Sequence, residues 1–241
     1  MGEFDMRLFG EDYLYFWEEM TQDSDEAVEK IWRVLELEAG LELLDLACGY
    51  GRIANRLAAR GVRVTGLDAT PLFLEMARRD AAERGVDVEY VEGDIRALPW
   101  RDRFDRILCW FTSFGYHEDD ELRGVLRDVR AALRDGGRFL LENNNMTTLL
   151  GQWREAMMRE RGDDFMVMHN VFDPLTCRGS GEYIAVRGGN VRRYRANVRM
   201  FSAPELRAWM LDAGFTRVEQ FGEDGEPLSN AHRRMLTVAY A

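Results

Sequence analysis

Long uncharged apolar runs are missing from this chain of 241 residues, and its start carries Glu3, Asp5 and Arg7 instead of a basic stretch followed by an apolar one. The first absence argues against a membrane span, the second against a secretory leader. Cysteine is scarce. Cys48, Cys109 and Cys177 are odd in number and widely spaced, which excludes a disulfide framework and a zinc pattern and points to a reducing cytoplasm. A basic excess is also lacking: 32 Lys and Arg stand against 43 Asp and Glu, a net charge of -11. That balance argues against a nucleic-acid partner, whose backbone is held mainly by basic side chains. Lysine is reduced to Lys30, and this skew toward arginine carries no functional reading. At 46% hydrophobic residues the chain has enough apolar surface for one substantial core.

The charge that is present is unevenly spread. Residues 1–40 hold twelve carboxylates against Arg7, Lys30 and Arg33, whereas residues 151–200 hold nine arginines against six carboxylates. Either each segment presents a solvated face, or the two meet within one chain or between subunits.

Hydrophobic periodicity divides the chain without a repeat or a low-complexity linker. Residues 1–40 read as a helical extension, with helices from Tyr13 to Met20 and from Asp25 to Leu37. From Leu41 short apolar runs alternate with amphipathic helices: strands are expected at Leu43–Leu46, Val62–Leu67, Val86–Val91, Phe104–Trp110 and Arg138–Leu141. Helices are expected from Arg52 to Gly61, from a Thr70-Pro71 cap as far as Gly85, and along the Leu122, Val125, Leu126, Val129, Leu133 stripe. After Asn145 the alternation stops. A helical stretch near Leu149 to Arg161 leads into strands at Phe165–Phe172 and Glu182–Arg187, and Gly188-Gly189 turns the latter into Arg192–Met200. Ser202-Ala203-Pro204-Glu205 reads as a capping box before a last helix, and Phe215–Phe221 and Met235–Tyr240 close as strands. The expected fold is one α/β domain over 1–241, with a Rossmann-like, seven-stranded, mostly parallel sheet and helices on both faces. Its parts are the extension (1–40), a cofactor-binding core (41–145), an antiparallel insert or lid (146–201) and the end of the core (202–241).

Gly49-Tyr50-Gly51-Arg52-Ile53-Ala54 follows a strand and opens a helix, and Asp68 ends the next strand. Alone this fits a dinucleotide fingerprint. Asp45 argues otherwise: it stands one turn before the glycines, where an anion would repel a pyrophosphate but suits a ligand carrying an ammonium and a sulfonium. S-adenosylmethionine is such a ligand.

At these residues the chain resembles the class I S-adenosylmethionine-dependent methyltransferases, in a small-molecule branch whose first motif reads C-G-Y-G-R. Leu43-Leu44-Asp45-Leu46-Ala47-Cys48-Gly49-Tyr50-Gly51-Arg52 is similar to that motif, and Val64-Thr65-Gly66-Leu67-Asp68 to the strand whose acid holds the ribose. Glu92-Gly93-Asp94-Ile95 resembles the adenine loop, and Phe104-Asp105-Arg106-Ile107-Leu108 with Thr112-Ser113-Phe114-Gly115-Tyr116 resembles the fourth strand and its turn. Leu133-Arg134-Asp135-Gly136-Gly137 departs from the usual turn by Asp135 in place of proline, and Asp68-Ala69-Thr70 departs from aspartate-leucine-serine. The resemblance implies cofactor contacts from Asp45, Ala47, Gly49, Gly51, Asp68, Ala69, Asp94, Ile95 and Trp110, and it puts Phe114 at the methyl-transfer site. The implied product is S-adenosylhomocysteine.

Methyl transfer from a sulfonium is an in-line displacement that relies on positioning, and it needs a base only if the nucleophile arrives protonated. His117, in a place often held by phenylalanine, is the candidate base, and Tyr15 is the candidate that the extension sends to the site. No cluster has metal-ligand spacing, so no metal is expected. Arg193, Arg195, Asn197 and Arg199 share one strand face, which reads as a substrate contact, a solvated face or a seam to the acidic extension. The expected partner is a small molecule, methylated on nitrogen or oxygen, with neither membrane nor nucleic acid involved. A homo-oligomer through the insert or the extension stays open. The competing readings are an NAD-dependent oxidoreductase, a non-catalytic S-adenosylmethionine-binding protein and an RNA methyltransferase.

Overall fold

The computed structural model describes residues 5–17 and 24–241. A 3-10 turn at Met6–Leu8 precedes α1 (Glu11–Trp17) and α2 (Ser24–Val34). The helix expected from Tyr13 to Met20 is seen as far as Trp17; Glu3 and the stretch to Met20 lie outside the described residues. Then β1 (Glu42–Leu46), α3 (Ala54–Ala58), β2 (Arg63–Asp68), α4 (Pro71–Arg84) and β3 (Glu89–Glu92) alternate, followed by β4 (Phe104–Cys109), α5 (Asp119–Ala132) and β5 (Leu133–Asn144). After α6 (Met146–Gly151) come four strands, β6 (Ala156–Arg161), β7 (Asp164–Asp173), β8 (Arg178–Arg187) and β9 (Asn190–Arg199). Finally α7 (Ala203–Asp212), β10 (Arg217–Gly222) and β11 (Arg234–Tyr240) complete the chain.

The main sheet has the order β10-β11-β5-β4-β1-β2-β3. Its neighbours are parallel except β11, which runs antiparallel to both β5 and β10. Leu43, Leu44 and Leu46 are fully buried, as expected of a central strand covered on both faces. The chain leaves β1 toward β2 and β3, then returns to the other side of β1 with β4. A crevice therefore opens at the carboxyl ends of β1 and β4, where open α/β sheets take ligands. Among the described residues no helix is long and apolar enough to cross a membrane.

Helix ends correct two expectations. Thr70 makes no side-chain cap; its N–H is taken instead by Asp68 Oδ1 at 2.8 Å. Ser202 Oγ does accept the Glu205 N–H at 3.4 Å, but the Glu205 carboxylate turns to Arg199, so the box there is not reciprocal. A reciprocal box forms at Glu118 and Glu121, before α5.

The stretch expected as a helix from Leu149 to Arg161 is α6 and then a strand. Ala156 to Arg161 pairs along its length with β7, at the edge of the insert sheet, a partnership across the chain that local periodicity cannot foresee. Strands β6 to β9 form a four-stranded antiparallel sheet. This sheet packs on the extension: Leu8 and Phe16 join Met166, Met168, Ala185, Tyr194 and Ala196 in one buried cluster. The acidic and basic segments meet inside one chain. Asp12, 3% exposed, accepts from Arg192 Nε at 2.5 Å, Arg187 Nη1 at 3.3 Å and the Tyr194 hydroxyl at 2.7 Å. The side chains of Arg193, Arg195 and Arg199 do not pair with Asp12, although the Arg195 carbonyl accepts the Asp5 N–H at 3.1 Å and the Arg195 charge adds to the Arg7 hydrogen bond in lowering the Asp5 pKa. Arg193 pairs with Glu182 across the hairpin, Arg195 is exposed, and Arg199 turns inward to Asp119 and Glu205.

Candidate active site

The glycine turn after β1 is tied to the end of β2. Gly49 N–H donates to Asp68 Oδ2 at 2.8 Å, and Cys48 N–H to the Leu67 carbonyl at 3.0 Å. Gly51, at φ +77°, serves packing: a Cβ there would lie 2.3 Å from the Tyr90 hydroxyl and 2.9 Å from Ala77 Cβ. That hydroxyl donates to buried Asn55, which holds the first turn of α3 against α4.

A cavity sits at this turn, and Asp45, Ala47, Gly49, Asp68, Ala69, Ile95, Trp110 and His117 all line it. Asp45 is 2% exposed and has no ion pair among the described residues. Burial pushes its pKa up to about 7; the Arg52 guanidinium pulls it down and Asp68 pushes it further up. Burial also raises the pKa of Asp68, against the backbone N–H groups that favour its anion. A buried carboxyl that faces a cavity and has no ion-pair partner among the described residues is what a ligand ammonium would satisfy. Arg52 lines the same cavity and offers the complementary charge for a carboxylate.

Four expected residues do not line this cavity. Gly51 packs as described. Asp94 is turned to its neighbour, accepting the Arg96 N–H at 2.9 Å and Nη2 at 2.6 Å, which holds its carboxyl below the usual range. Phe114 is fully buried, with its ring 5.6 Å from that of Phe201, in the core under the sheet. Tyr15 lies on the outer side of α1, its hydroxyl donating to the Arg161 carbonyl at 3.3 Å and its ring under Arg161 and Arg187. Two residues along a helix is more than half a turn, so Tyr13 faces the cavity and Tyr15 faces away.

His117 is half-buried. Burial lowers its pKa and the nearby Arg96 adds to this against Asp94 and Glu121, which favours the neutral imidazole. Burial raises the pKa of the Tyr13 phenol to about 12 and lifts that of Tyr116 too, so both keep their protons.

A second cavity of about 570 Å³ opens between the core and the insert sheet. It shares Phe9, Tyr13, Phe111 and Tyr116 with the first. Its walls are aromatic and amide side chains with Arg154, Arg199, Arg233 and Arg234, and no Asp, Glu, His or Lys lines it among the described residues. Arg199 and Arg234 are neutralised by carboxylates, whereas Arg154 and Arg233 have no ion pair among the described residues. Asn143, 3% exposed, lines it with a side-chain oxygen that has no hydrogen-bond partner among the described residues.

Sequence reasoning left Arg52, Phe9 and Asn143 without a role. One signal was available: Phe9, Tyr13 and Trp17 recur at every fourth residue, and their rings do meet in sequence, Phe9 edge-on to Tyr13 at 5.3 Å and Tyr13 stacked on Trp17 at 5.1 Å.

Residues 43–137 match a family described as a methyltransferase domain. The chain is 31% identical over 194 residues to a demethylmenaquinone methyltransferase of Thermus thermophilus, spanning 77% of this chain and 81% of that one. Among solved structures it is similar to the CcbJ methyltransferase of Streptomyces caelestis, with a TM-score of 0.79, 25% identity and coverage of 91% and 89% of the two chains. The sugar N-methyltransferase KedS8 of a Streptoalloteichus species shares the fold at a TM-score of 0.71, with 23% identity and coverage of 96% and 93%.

Proposed function

The chain belongs to the class I S-adenosylmethionine-dependent methyltransferases, and from that premise we propose that it methylates a nitrogen of a small-molecule amine bound in the second cavity. The cofactor supplies, when bound, a methyl group on a sulfonium that is open to in-line displacement by a lone pair. Asp45 would meet its ammonium and Arg52 its carboxylate, Asp68 would accept from the ribose, and Ala69 and Ile95 would flank the adenine. Tyr13, Trp110 and Phe111 close the site to water, and positioning of this kind lowers a barrier by about 7–11 kcal/mol.

The observation that carries the reading is the chemistry of the second cavity, which has guanidinium groups and amides but no carboxylate and no base among the described residues. Arg154 and Arg233, both exposed, add positive charge at the cavity without a carboxylate to offset it, which favours a neutral amine with its lone pair free over an ammonium. A hydroxyl acceptor would need a base, and neutral His117 faces only the first cavity.

The test is label transfer from methyl-labelled S-adenosylmethionine to a pool of amines, phenols, quinols and RNA, followed by location of the label. Label on amine nitrogen is expected, with His117→Ala losing less than about tenfold in rate, whereas general-base catalysis contributes about 10²–10⁴. Label on a quinol would favour a second reading, supported by the identity to the demethylmenaquinone methyltransferase. Label on RNA would overturn the substrate class.

A further inference from the structure

Backbone strain concentrates in the turn after β4. Phe111 and Thr112 have φ of +64° and +61°, and neither is glycine. The left-handed region is opposed by contact between Cβ and the following carbonyl, so two such residues in a row persist only where their surroundings hold them. Here the restraint comes from β5 and β11. The Glu142 carboxylate accepts the Phe111 N–H at 2.7 Å, and its backbone carbonyl accepts the Thr112 N–H at 3.1 Å. Arg234 donates to both Glu142 carboxylate oxygens, to Thr112 Oγ1 at 2.8 Å and to Asn144 Oδ1 at 2.5 Å. The Glu142 side chain is 5% exposed, so Arg234 also compensates a buried charge. The residue held this way is Phe111, which lines both cavities with its ring between Arg52 at 5.1 Å and Arg234 at 5.7 Å.

We propose that Glu142 and Arg234 are positioning residues: together they clamp the turn at residues 110–113 in its left-handed conformation, so that Phe111 forms the partition between the cofactor and acceptor cavities. The clamp touches no reacting atom. It fixes the wall against which the cofactor binds and keeps the acceptor cavity separate. When only a fraction of molecules hold the competent turn, apparent cofactor affinity falls by that fraction. This inference rests on the first cavity being the cofactor site.

The experiment compares wild type, Glu142→Gln, the double variant Glu142→Gln with Thr112→Gly, and Leu206→Ala, a core truncation lining neither cavity. Glutamine keeps the shape of Glu142 but turns an amide NH₂ or a neutral oxygen to Arg234. Calorimetry with S-adenosylhomocysteine should show affinity weakened about tenfold or more in Glu142→Gln, the scale of one charge-assisted hydrogen bond. Leu206→Ala should lose thermal stability without this loss of affinity. Glycine at 112 removes the left-handed cost at that position, so the double variant should regain at least about threefold. Amide exchange of Phe111 and Thr112, read without ligand, should accelerate at least about tenfold in Glu142→Gln. Unchanged exchange, or a double variant that regains nothing, overturns the clamp. If wild type fails to bind S-adenosylhomocysteine while exchange responds as expected, the cofactor reading fails and the clamp loses its assigned purpose.

Discussion

Replacing Asp45 with asparagine separates two effects that the carboxylate combines. In the protein without ligand, burial pushes its pKa from 3.8 up to about 7, with Arg52 opposing and Asp68 adding to the shift. Because the folded value lies above the unfolded one, ionisation of Asp45 opposes folding. Below about pH 4 the group is protonated in both states and costs nothing. Between about pH 4 and 7 the unfolded chain ionises first, and stability falls as pH rises; above 7 the loss is constant. Three pKa units correspond to at most about 4 kcal/mol. Asp45→Asn should therefore match wild type near pH 4 and be more stable by up to that amount at pH 8, as measured by denaturant unfolding.

Cofactor binding should show the opposite preference. An ammonium beside Asp45 draws the carboxylate back to its anion, so binding at pH 6 should release a proton, and wild-type affinity should rise between pH 5 and 7. Asp45→Asn should bind S-adenosylhomocysteine about 10- to 100-fold more weakly at pH 8, the scale of 1.5–3 kcal/mol for a charged hydrogen bond, with no such rise. Calorimetry at pH 6 in two buffers of different ionisation enthalpy reads the proton directly. An Asp45→Asn protein less stable than wild type at pH 8, or binding without proton release, would refute the reasoning.

Asp68→Ala should cost about 1.5–3 kcal/mol of affinity for S-adenosylhomocysteine, and should also loosen the glycine turn through the lost Gly49 bond; calorimetry checks the first and amide exchange at Gly49 the second. Phe111→Ala should impair cofactor binding with a small loss of stability. Phe114→Ala should cost about 3–5 kcal/mol of stability with little direct effect on the cofactor, and a reversed pattern in paired unfolding and binding experiments would restore Phe114 to the site. Burial raises the pKa of Asp12, but its bonds to Arg192 and Tyr194 outweigh this and hold it below its ordinary value, so its contribution is present above about pH 4 and lost as pH falls through the folded value. Amide exchange should therefore report residues 5–17 loosening from the insert sheet in acid first, and in Asp12→Asn at every pH.

The main sheet was legible because a buried parallel strand leaves a short apolar run, and β1, β2 and β4 are such runs between helices with one apolar stripe. The insert was legible only in its second half. Gly188-Gly189 marks the hairpin of β8 and β9, whereas β6 has five of its six residues exposed and no buried face to write a period of two into its sequence. The excess of acid in residues 1–40 pointed to a seam, but its basic partners stand on the Tyr194 side of β9 at Arg192 and at the end of β8 at Arg187. Counting charges along a strand gives two faces and does not say which one a distant helix will cover.

The same division runs through the site. Asp45 and Asp68 stand near the carboxyl ends of β1 and β2 and Gly49 in the turn between β1 and α3, so local motifs carry both their identity and their direction. Phe111 depends on the sign of φ at two residues, and that sign is set by Glu142 and Arg234, which come from β5 and β11. In the folded protein, with both residues left-handed, Phe111 lines both cavities and Phe114 is buried in the core against Phe201. Which ring stands between the two cavities is therefore a property of β4, β5 and β11 together.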